Sequence, residues 1–318
     1  MENTKPENRV PVALTGSGDE LHCQWINTYD KRFTEPFFSN TVLRLKFLHH
    51  IKKGELVVGS LHEMQQQAQS INALSPSFII FHLSRCGSTL ISQMFATSGR
   101  FIVLSEVPFF DELLRIPFVD AGFDKTSIPA IFSSALKFYS RKKDPAEEYL
   151  VVKTDCWHIF FYETLRKIFP AVPFVLMYRS PDEVLTSNLK IAGWQTVPEL
   201  VDPRIFGLPG IPEVYQREIY SVTIIEKMLA KFLEVAETDQ NCTLVNYNEG
   251  ALNVVKKIAG LTNIALNDEE IEIMKQRSAY HSKNPGELFS EEPAAEVPAC
   301  LNEAMRLYEV LETRRGMG

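Results

Sequence analysis

Two short segments carry residues able to grip an anion. Leu83-Ser84-Arg85-Cys86-Gly87-Ser88-Thr89 joins an apolar run to a helical pattern. A glycine at that junction lets the backbone turn tightly toward a ligand, and Ser88 and Thr89 open a helix, where free amides and the dipole favour a phosphate. The common nucleotide loop, GxxxxGK[ST], carries a lysine after its last glycine. Here Gly87 runs straight into Ser88-Thr89, and the cation, Arg85, comes two residues earlier. The plain alternative is a helix start after a core strand, with Arg85 a surface charge. In the second segment, Tyr178-Arg179-Ser180-Pro181-Asp182-Glu183-Val184-Leu185-Thr186-Ser187, an arginine ends a strand and a serine follows eight residues on. Ser180, Pro181 and Glu183 read as helix-start chemistry: a cap, a first-turn proline and a capping-box acid. That reading leaves Arg179 and Ser187 unexplained, and arginine binds phosphate bidentately.

Two acids end strand-like runs nearby. Glu106 closes Phe101–Glu106, twenty-one residues after Arg85, and Asp155 closes Tyr149–Asp155 behind Lys153 and Thr154. A hydroxyl nucleophile needs a group to take its proton, and such a base contributes roughly 10²–10⁴-fold. Glu106, at a strand end beside an anion loop, is placed for that work; the plain alternative is a solvated terminal acid. Lys153 is read as contacting a transferring group or as a solvated charge. His158 is assigned to the following helix, and Cys86 and Cys156 to packing.

These side chains need elements to hold them. Ser77–Leu83, Phe101–Glu106, Tyr149–Asp155, Pro173–Arg179 and Cys242–Tyr247 read as strands, separated by helical stretches at Ser88–Ser98 (stopped by Gly99), Ile128–Lys142, His158–Phe169, Ser180–Ile191 and Tyr215–Ala236. Such alternation implies an α/β fold: a three-layer parallel sheet with helices on both faces, binding ligands at the carboxyl ends of its strands. Residues 1–74 read as an extension packed on a core formed by residues 75–318. In it, Thr34–Phe38 leads into one helix, and Ser60 with Glu63 makes a capping box for a second. The Gly- and Pro-rich stretch 192–214 is long enough to be a lid or substrate loop. An amphipathic helix from Leu301 ends the chain.

Composition narrows the partners. The chain has 318 residues, 45% hydrophobic, with a formal charge of −7 and a pI near 5.6. That balance argues against nucleic acid or an anionic membrane surface, which need a basic face. No apolar run approaches the ~20 residues that span a bilayer. Five scattered cysteines without CxxC, and a polar start lacking an apolar leader core, predict a reduced, cytoplasmic protein without a metal cluster.

The anion loop resembles the 5′-phosphosulfate loop of the sulfotransferases: a basic residue, a small residue, glycine, then two hydroxyl residues. Arg85, Cys86, Gly87, Ser88 and Thr89 fall on that pattern. The pair Arg179 and Ser187 is similar to the family's 3′-phosphate site, with the same Pro-x-x-Val helix start, and the resemblance covers about residues 77–250. It implies a P-loop-like sulfotransferase architecture and transfer of a sulfuryl group from 3′-phosphoadenosine 5′-phosphosulfate (PAPS) to a hydroxyl or amine of a small-molecule acceptor. It implies that Ser88 and Thr89 hold the 5′-phosphate, that Arg85 stabilises the leaving oxygen, and that Glu106 is the base, as in protein-tyrosine and some bacterial members. No metal is needed. Lys153-Thr154-Asp155 resembles the family's Lys-Thr-His, with Asp155 where the small-molecule enzymes keep their base; this departure strengthens Glu106 and leaves Asp155 to orient the acceptor or meet a cation. Tyr280–Gly286 resembles the loop that closes over the 3′-phosphate, with Lys283 as its cation. A P-loop kinase using ATP and a non-catalytic nucleotide-binding protein on the same fold remain the alternatives.

Overall fold

The computed structural model describes residues 8–29, 31–52, 54–280 and 299–317. The chain enters through an antiparallel sheet that the sequence reading did not anticipate. Strand β1 (Arg9–Thr15) pairs with β2 (His22–Asn27), and β2 pairs with β3 (Val57–Ser60); α1 (Phe38–Leu48) lies between β2 and β3, and α2 (Leu61–Ala68) follows. The β1–β2 register shifts between Pro11 and Ala13, where a proline in a strand is tolerated. The inner residues Val10, Cys23, Trp25 and Ile26 are buried. The capping box of α2 forms: Ser60 Oγ accepts from the Glu63 amide at 3.1 Å, and Glu63 Oε2 accepts from the Ser60 amide at 3.0 Å.

The remaining strands are β4 (Pro76–His82), β5 (Phe101–Ser105), β6 (Tyr149–Lys153), β7 (Phe174–Tyr178) and β8 (Cys242–Asn246). They form one parallel sheet in the order β5-β6-β4-β7-β8. Runs such as Phe78-Ile79-Ile80-Phe81 have apolar side chains pointing both ways, so they are stable only where both faces are covered, and all four are buried. The covering helices are α3 (Ser88–Ala96), α4 (Pro108–Val119), α5 (Ile128–Tyr139), α6 (Tyr162–Ile168), α7 (Pro181–Lys190), α8 (Arg217–Thr238), α9 (Ala251–Leu261), α10 (Asp268–Ser278) and α11 (Asn302–Met317). This is the three-layer α/β architecture expected. Strand order changes sides at β4: β5 and β6 lie on one side of it, β7 and β8 on the other. That switch point is where such sheets open a crevice for ligand.

Several boundaries differ from the sequence reading. The helix expected over His158–Phe169 opens as a tight 3₁₀ turn, Cys156–Phe161, and becomes α-helical only at Tyr162, because Trp157 and His158 are tied sideways to Asp111. The helix expected to reach Ser98 ends at Ala96; Thr97 and Ser98 bond three residues back, to Met94 and Phe95. The side-chain capping expected at Ser180 does not form. Its hydroxyl turns to Asp182, and Glu183 turns to Arg179. Helix α4, with prolines at 108 and 117, was not foreseen, nor were α9 and α10.

Candidate active site

The carboxyl ends of the parallel strands surround a cleft of about 540 Å³, a size suited to a nucleotide-sized ligand. Residues of both sequence segments line it: Arg85, Gly87, Ser88 and Thr89 from the loop after β4, and Arg179 and Ser187 from β7 and α7. Arg85 and Gly87 both adopt left-handed backbone, at φ of +64° and +84°. Successive turns of this kind gather amides toward a concave face, and α3 begins directly beyond. Gly87 has a further constraint: a Cβ there would come within 2.3 Å of the Tyr247 ring, which lies against the loop from the end of β8.

The two segments touch. Arg85 Nε donates to Ser187 Oγ at 2.8 Å, a contact spanning 102 positions of sequence. Among the described residues this is the only hydrogen bond of the Arg85 side chain, and no carboxylate pairs with it. Burial pulls its pKa down from the ordinary arginine value, yet a guanidinium keeps its charge in proteins. The loop thus holds a partly desolvated cation that an anion would relieve. Arg179 pairs with Glu183 Oε1 at 2.6 Å and lies over the Tyr247 ring, 5.4 Å from its centroid. Asn248 donates to the other Glu183 oxygen at 2.9 Å.

Acids gather where β5 and β6 end. Glu106 follows β5 with φ +51°, a strained value for a residue bearing a side chain. Its amide donates to the Lys153 carbonyl at 2.8 Å, and its carboxylate meets Lys153 Nζ and lies 3.5 Å from His82 Nε2. Burial pushes this carboxyl up, but the Lys153 charge and the His82 contact outweigh it and hold the group down at about 2. Lys153 itself is 1% exposed, its ammonium 5.3 Å from the centre of the Phe37 ring. Asp155 also lines the cleft. Burial, with the Glu106 and Asp111 charges adding to it, pushes its pKa well above the ordinary aspartate range.

Asp111, from α4, anchors this end. It accepts from Trp157 Nε1 at 2.6 Å, His158 Nε2 at 3.1 Å and Arg115 Nη1 at 3.0 Å. His158, in the turn that opens the expected helix, therefore bears on the site through Asp111 and Asp155. Ligand atoms of Asp111, Asp155 and His158 lie within 4.8 Å of one another, the one such group among the described residues. Three donors already occupy Asp111, which leaves little room for a metal. Burial pushes the Cys86 thiol up to about 12 and the Cys156 thiol well above its ordinary value, so neither is a ready nucleophile.

Ile191–Gln195, at the start of the long Gly- and Pro-rich loop, borders the cleft, with Trp194 62% exposed. Lys283 lies outside the described residues; Tyr280, just before it, lines the cleft. The sequence reading missed His82, Asp111, Trp157 and Tyr247. His82 and Tyr247 were findable, since both stand at the ends of strands already identified. Asp111 and Trp157 were not, because nothing in sequence brings α4 and the turn after β6 together.

No protein-family model matches the chain, and no curated protein matches its sequence. Among solved structures, sulfotransferase STF9 from Mycobacterium avium is similar with a TM-score of 0.49 and 14% identity, over 81% of this chain and 80% of that one. A sulfotransferase from Alicyclobacillus acidocaldarius gives 0.41 and 10%, over 77% and 95%. Mouse sulfotransferase SULT7A1, solved with PAP, gives 0.40 and 14%, over 83% and 93%. At these identities the likeness is one of fold. The chain resembles sulfotransferases in its α/β architecture.

Proposed function

We propose that this chain is a PAPS-dependent sulfotransferase acting on a small-molecule acceptor in the cytoplasm. The observation that carries the reading is the Arg85–Ser187 contact: a half-buried arginine without a carboxylate joins two anion-binding segments in one cleft, which an ionised carboxylate also lines. One anchor suits any nucleotide. Two, bridged through Arg85, suit a nucleotide bearing phosphates at both 5′ and 3′ positions, which ATP lacks. All five cysteines are unpaired, which suits a reducing compartment.

Bound PAPS supplies an activated sulfuryl group on its 5′-phosphate. On this reading the amides opening α3, with Ser88 and Thr89, hold that phosphate, and Arg179 and Ser187 hold the 3′-phosphate. Arg85 stabilises the oxygen on which charge develops as the old S–O bond breaks. Glu106 takes the acceptor's proton as the new bond to sulfur forms, with Lys153 beside it to meet charge on the transferring group. Catalysis then rests on positioning and preorganised charge. No metal takes part in these steps.

Thermal denaturation with adenosine 3′,5′-bisphosphate, ADP, AMP and ATP–Mg²⁺ tests the assignment. A ligand at ~100 times its Kd adds ~2.7 kcal/mol of stability. Selective stabilisation by the 3′,5′-bisphosphate is the expected result. Stabilisation by ATP–Mg²⁺ with indifference to the 3′-phosphate would make the protein a kinase.

A further inference from the structure

One carboxyl in the cleft has no balancing charge of its own. Asp155 lies two residues beyond β6, is 9% exposed and lines the cleft. Among the described residues its side chain accepts no hydrogen bond. Its one ion contact is His158 Nε2 at 3.6 Å, a nitrogen that sits closer to Asp111, at 3.1 Å. The neighbouring acids are provided for: Lys153 holds Glu106, and Arg115 with Trp157 and His158 holds Asp111. The charged groups that bear on Asp155 are Glu106 beyond β5, Asp111 and Arg115 on α4, Lys153 on its own strand, and His158 on the turn that follows. Its nearest cations are thus committed to other acids. A buried carboxyl in such company is relieved by a proton or by a cation arriving with a ligand.

The walls favour the second. Phe37, Trp157, Trp194 and Tyr280 line the same cleft, and aromatic faces attract organic cations. Arg85 and Arg179 line the same cleft. A ligand filling it meets guanidinium groups and, with Trp157 and Phe37 close to the acid cluster, the Asp155 carboxyl.

We infer that the acceptor of this enzyme carries a cationic amine, and that Asp155 binds its ammonium group. This rests on the sulfotransferase reading, which places the acceptor at Glu106. The ammonium replaces the missing counter-charge of Asp155 and is flanked by aromatic surface, while the reacting atom of the acceptor faces Glu106. A neutral acceptor would leave Asp155 to be relieved by a proton alone, and an acidic one would be repelled by the ionised carboxyl.

Three near-isosteric probes separate these cases: 2-phenylethylamine, 2-phenylethanol and phenylacetate, titrated calorimetrically into the full chain with and without saturating adenosine 3′,5′-bisphosphate. The amine should bind roughly 10–100-fold more tightly than the alcohol, the value of one charge-assisted hydrogen bond, with phenylacetate weakest. Asp155→Asn should erase the preference while binding of the bisphosphate persists, which shows that the variant is folded. Equal affinities for amine and alcohol, including no binding of either, would overturn the inference, as would a preference that survives Asp155→Asn. Displacement of the amine by Mg²⁺, Mn²⁺ or Zn²⁺ would also overturn it, since Asp111, Asp155 and His158 would then form a metal site. Bisphosphate binding without a cation preference defeats this inference alone. A cation preference without bisphosphate binding defeats the sulfotransferase reading instead.

Discussion

Replacing Lys153 by methionine keeps most of the side chain's volume and removes its charge. The residue is enclosed, and its ammonium ends on Glu106, whose side chain is 22% exposed toward the cleft. Glu106 sits at about 2 instead of the ordinary 4.5: burial raises it, and Lys153 and His82 more than reverse that. At about 1.4 kcal/mol per pKa unit, ionised Glu106 is worth about 3 kcal/mol to the native state at neutral pH, an upper figure because part of the carboxylate meets cleft water. Removing one partner of a buried pair costs about 3–5 kcal/mol in general, a similar size. Because the folded value lies below the unfolded one, this stabilisation is complete above the ordinary carboxylate range and fades as pH falls toward 2. In Lys153→Met the burial of Glu106 is opposed only by His82, so the variant's folded value rises and its penalty grows with pH. Urea unfolding should therefore show a loss of at least about 3 kcal/mol at pH 7 that narrows clearly at pH 4. The double variant Glu106→Gln/Lys153→Met should recover most of it, since no unpaired charge remains. A loss identical at both pH values, or below about 0.5 kcal/mol at pH 7, would refute the coupling of these two residues.

Gly87→Ala forces a Cβ to within 2.3 Å of Tyr247 at a backbone φ of +84°. It should lower the melting temperature and abolish stabilisation by adenosine 3′,5′-bisphosphate; normal ligand stabilisation would mean the loop does not cradle the phosphate. Arg179→Ala should reduce the preference for the 3′,5′-bisphosphate over AMP by roughly 10–100-fold in competition binding. An unchanged preference would remove Arg179 from the 3′ site. Glu183→Gln releases Arg179 from its 2.6 Å ion pair and should tighten bisphosphate binding severalfold in the same assay; weaker binding would show that Glu183 aims the arginine instead of competing for it.

The parallel sheet was legible because both faces of its strands are covered, which makes each strand a continuous apolar run, as in Phe78–Phe81 and Phe174–Tyr178. The anion loop was legible because its chemistry is local: Arg85, Gly87 and Ser88 lie within four positions. Arg179 and Ser187 were legible for the same reason, eight positions apart across a helix start. The antiparallel sheet of β1–β3 was obscured by Pro11 and by mixed polar sequence, and α4 by its two prolines. The acid cluster depends on contacts that sequence spacing does not encode. Asp111 meets Trp157 and His158 across 46 and 47 positions, and Lys153 reaches Glu106 across 47. These pairings exist because β5 and β6 lie side by side, with Ser105 opposite Lys153, a register that only the folded sheet reveals.

Glu106 and Asp155 illustrate how one cleft sets two carboxyls apart. They stand just beyond the ends of adjacent strands, yet one is driven down to about 2 and the other well above its ordinary value. Both are buried, so burial alone does not divide them; the difference is that Lys153 pairs directly with Glu106, whereas the one ion contact of Asp155 among the described residues is a His158 nitrogen at 3.6 Å that sits closer to Asp111. Environments that push paired titratable groups in opposite directions mark a division of labour. At about 2, Glu106 is a weak base at rest, but it is ionised and available throughout the neutral range. An acceptor hydroxyl gives up its proton only as its bond to sulfur forms. By then negative charge has grown on the transferring group, and Lys153 has a second partner to turn toward. Every part of the Lys153 interaction that shifts away from Glu106 raises the basicity of that carboxylate, just when the proton arrives. The lysine that makes Glu106 appear ill-suited to accept a proton is thus the group that, on the proposed reading, times the acceptance.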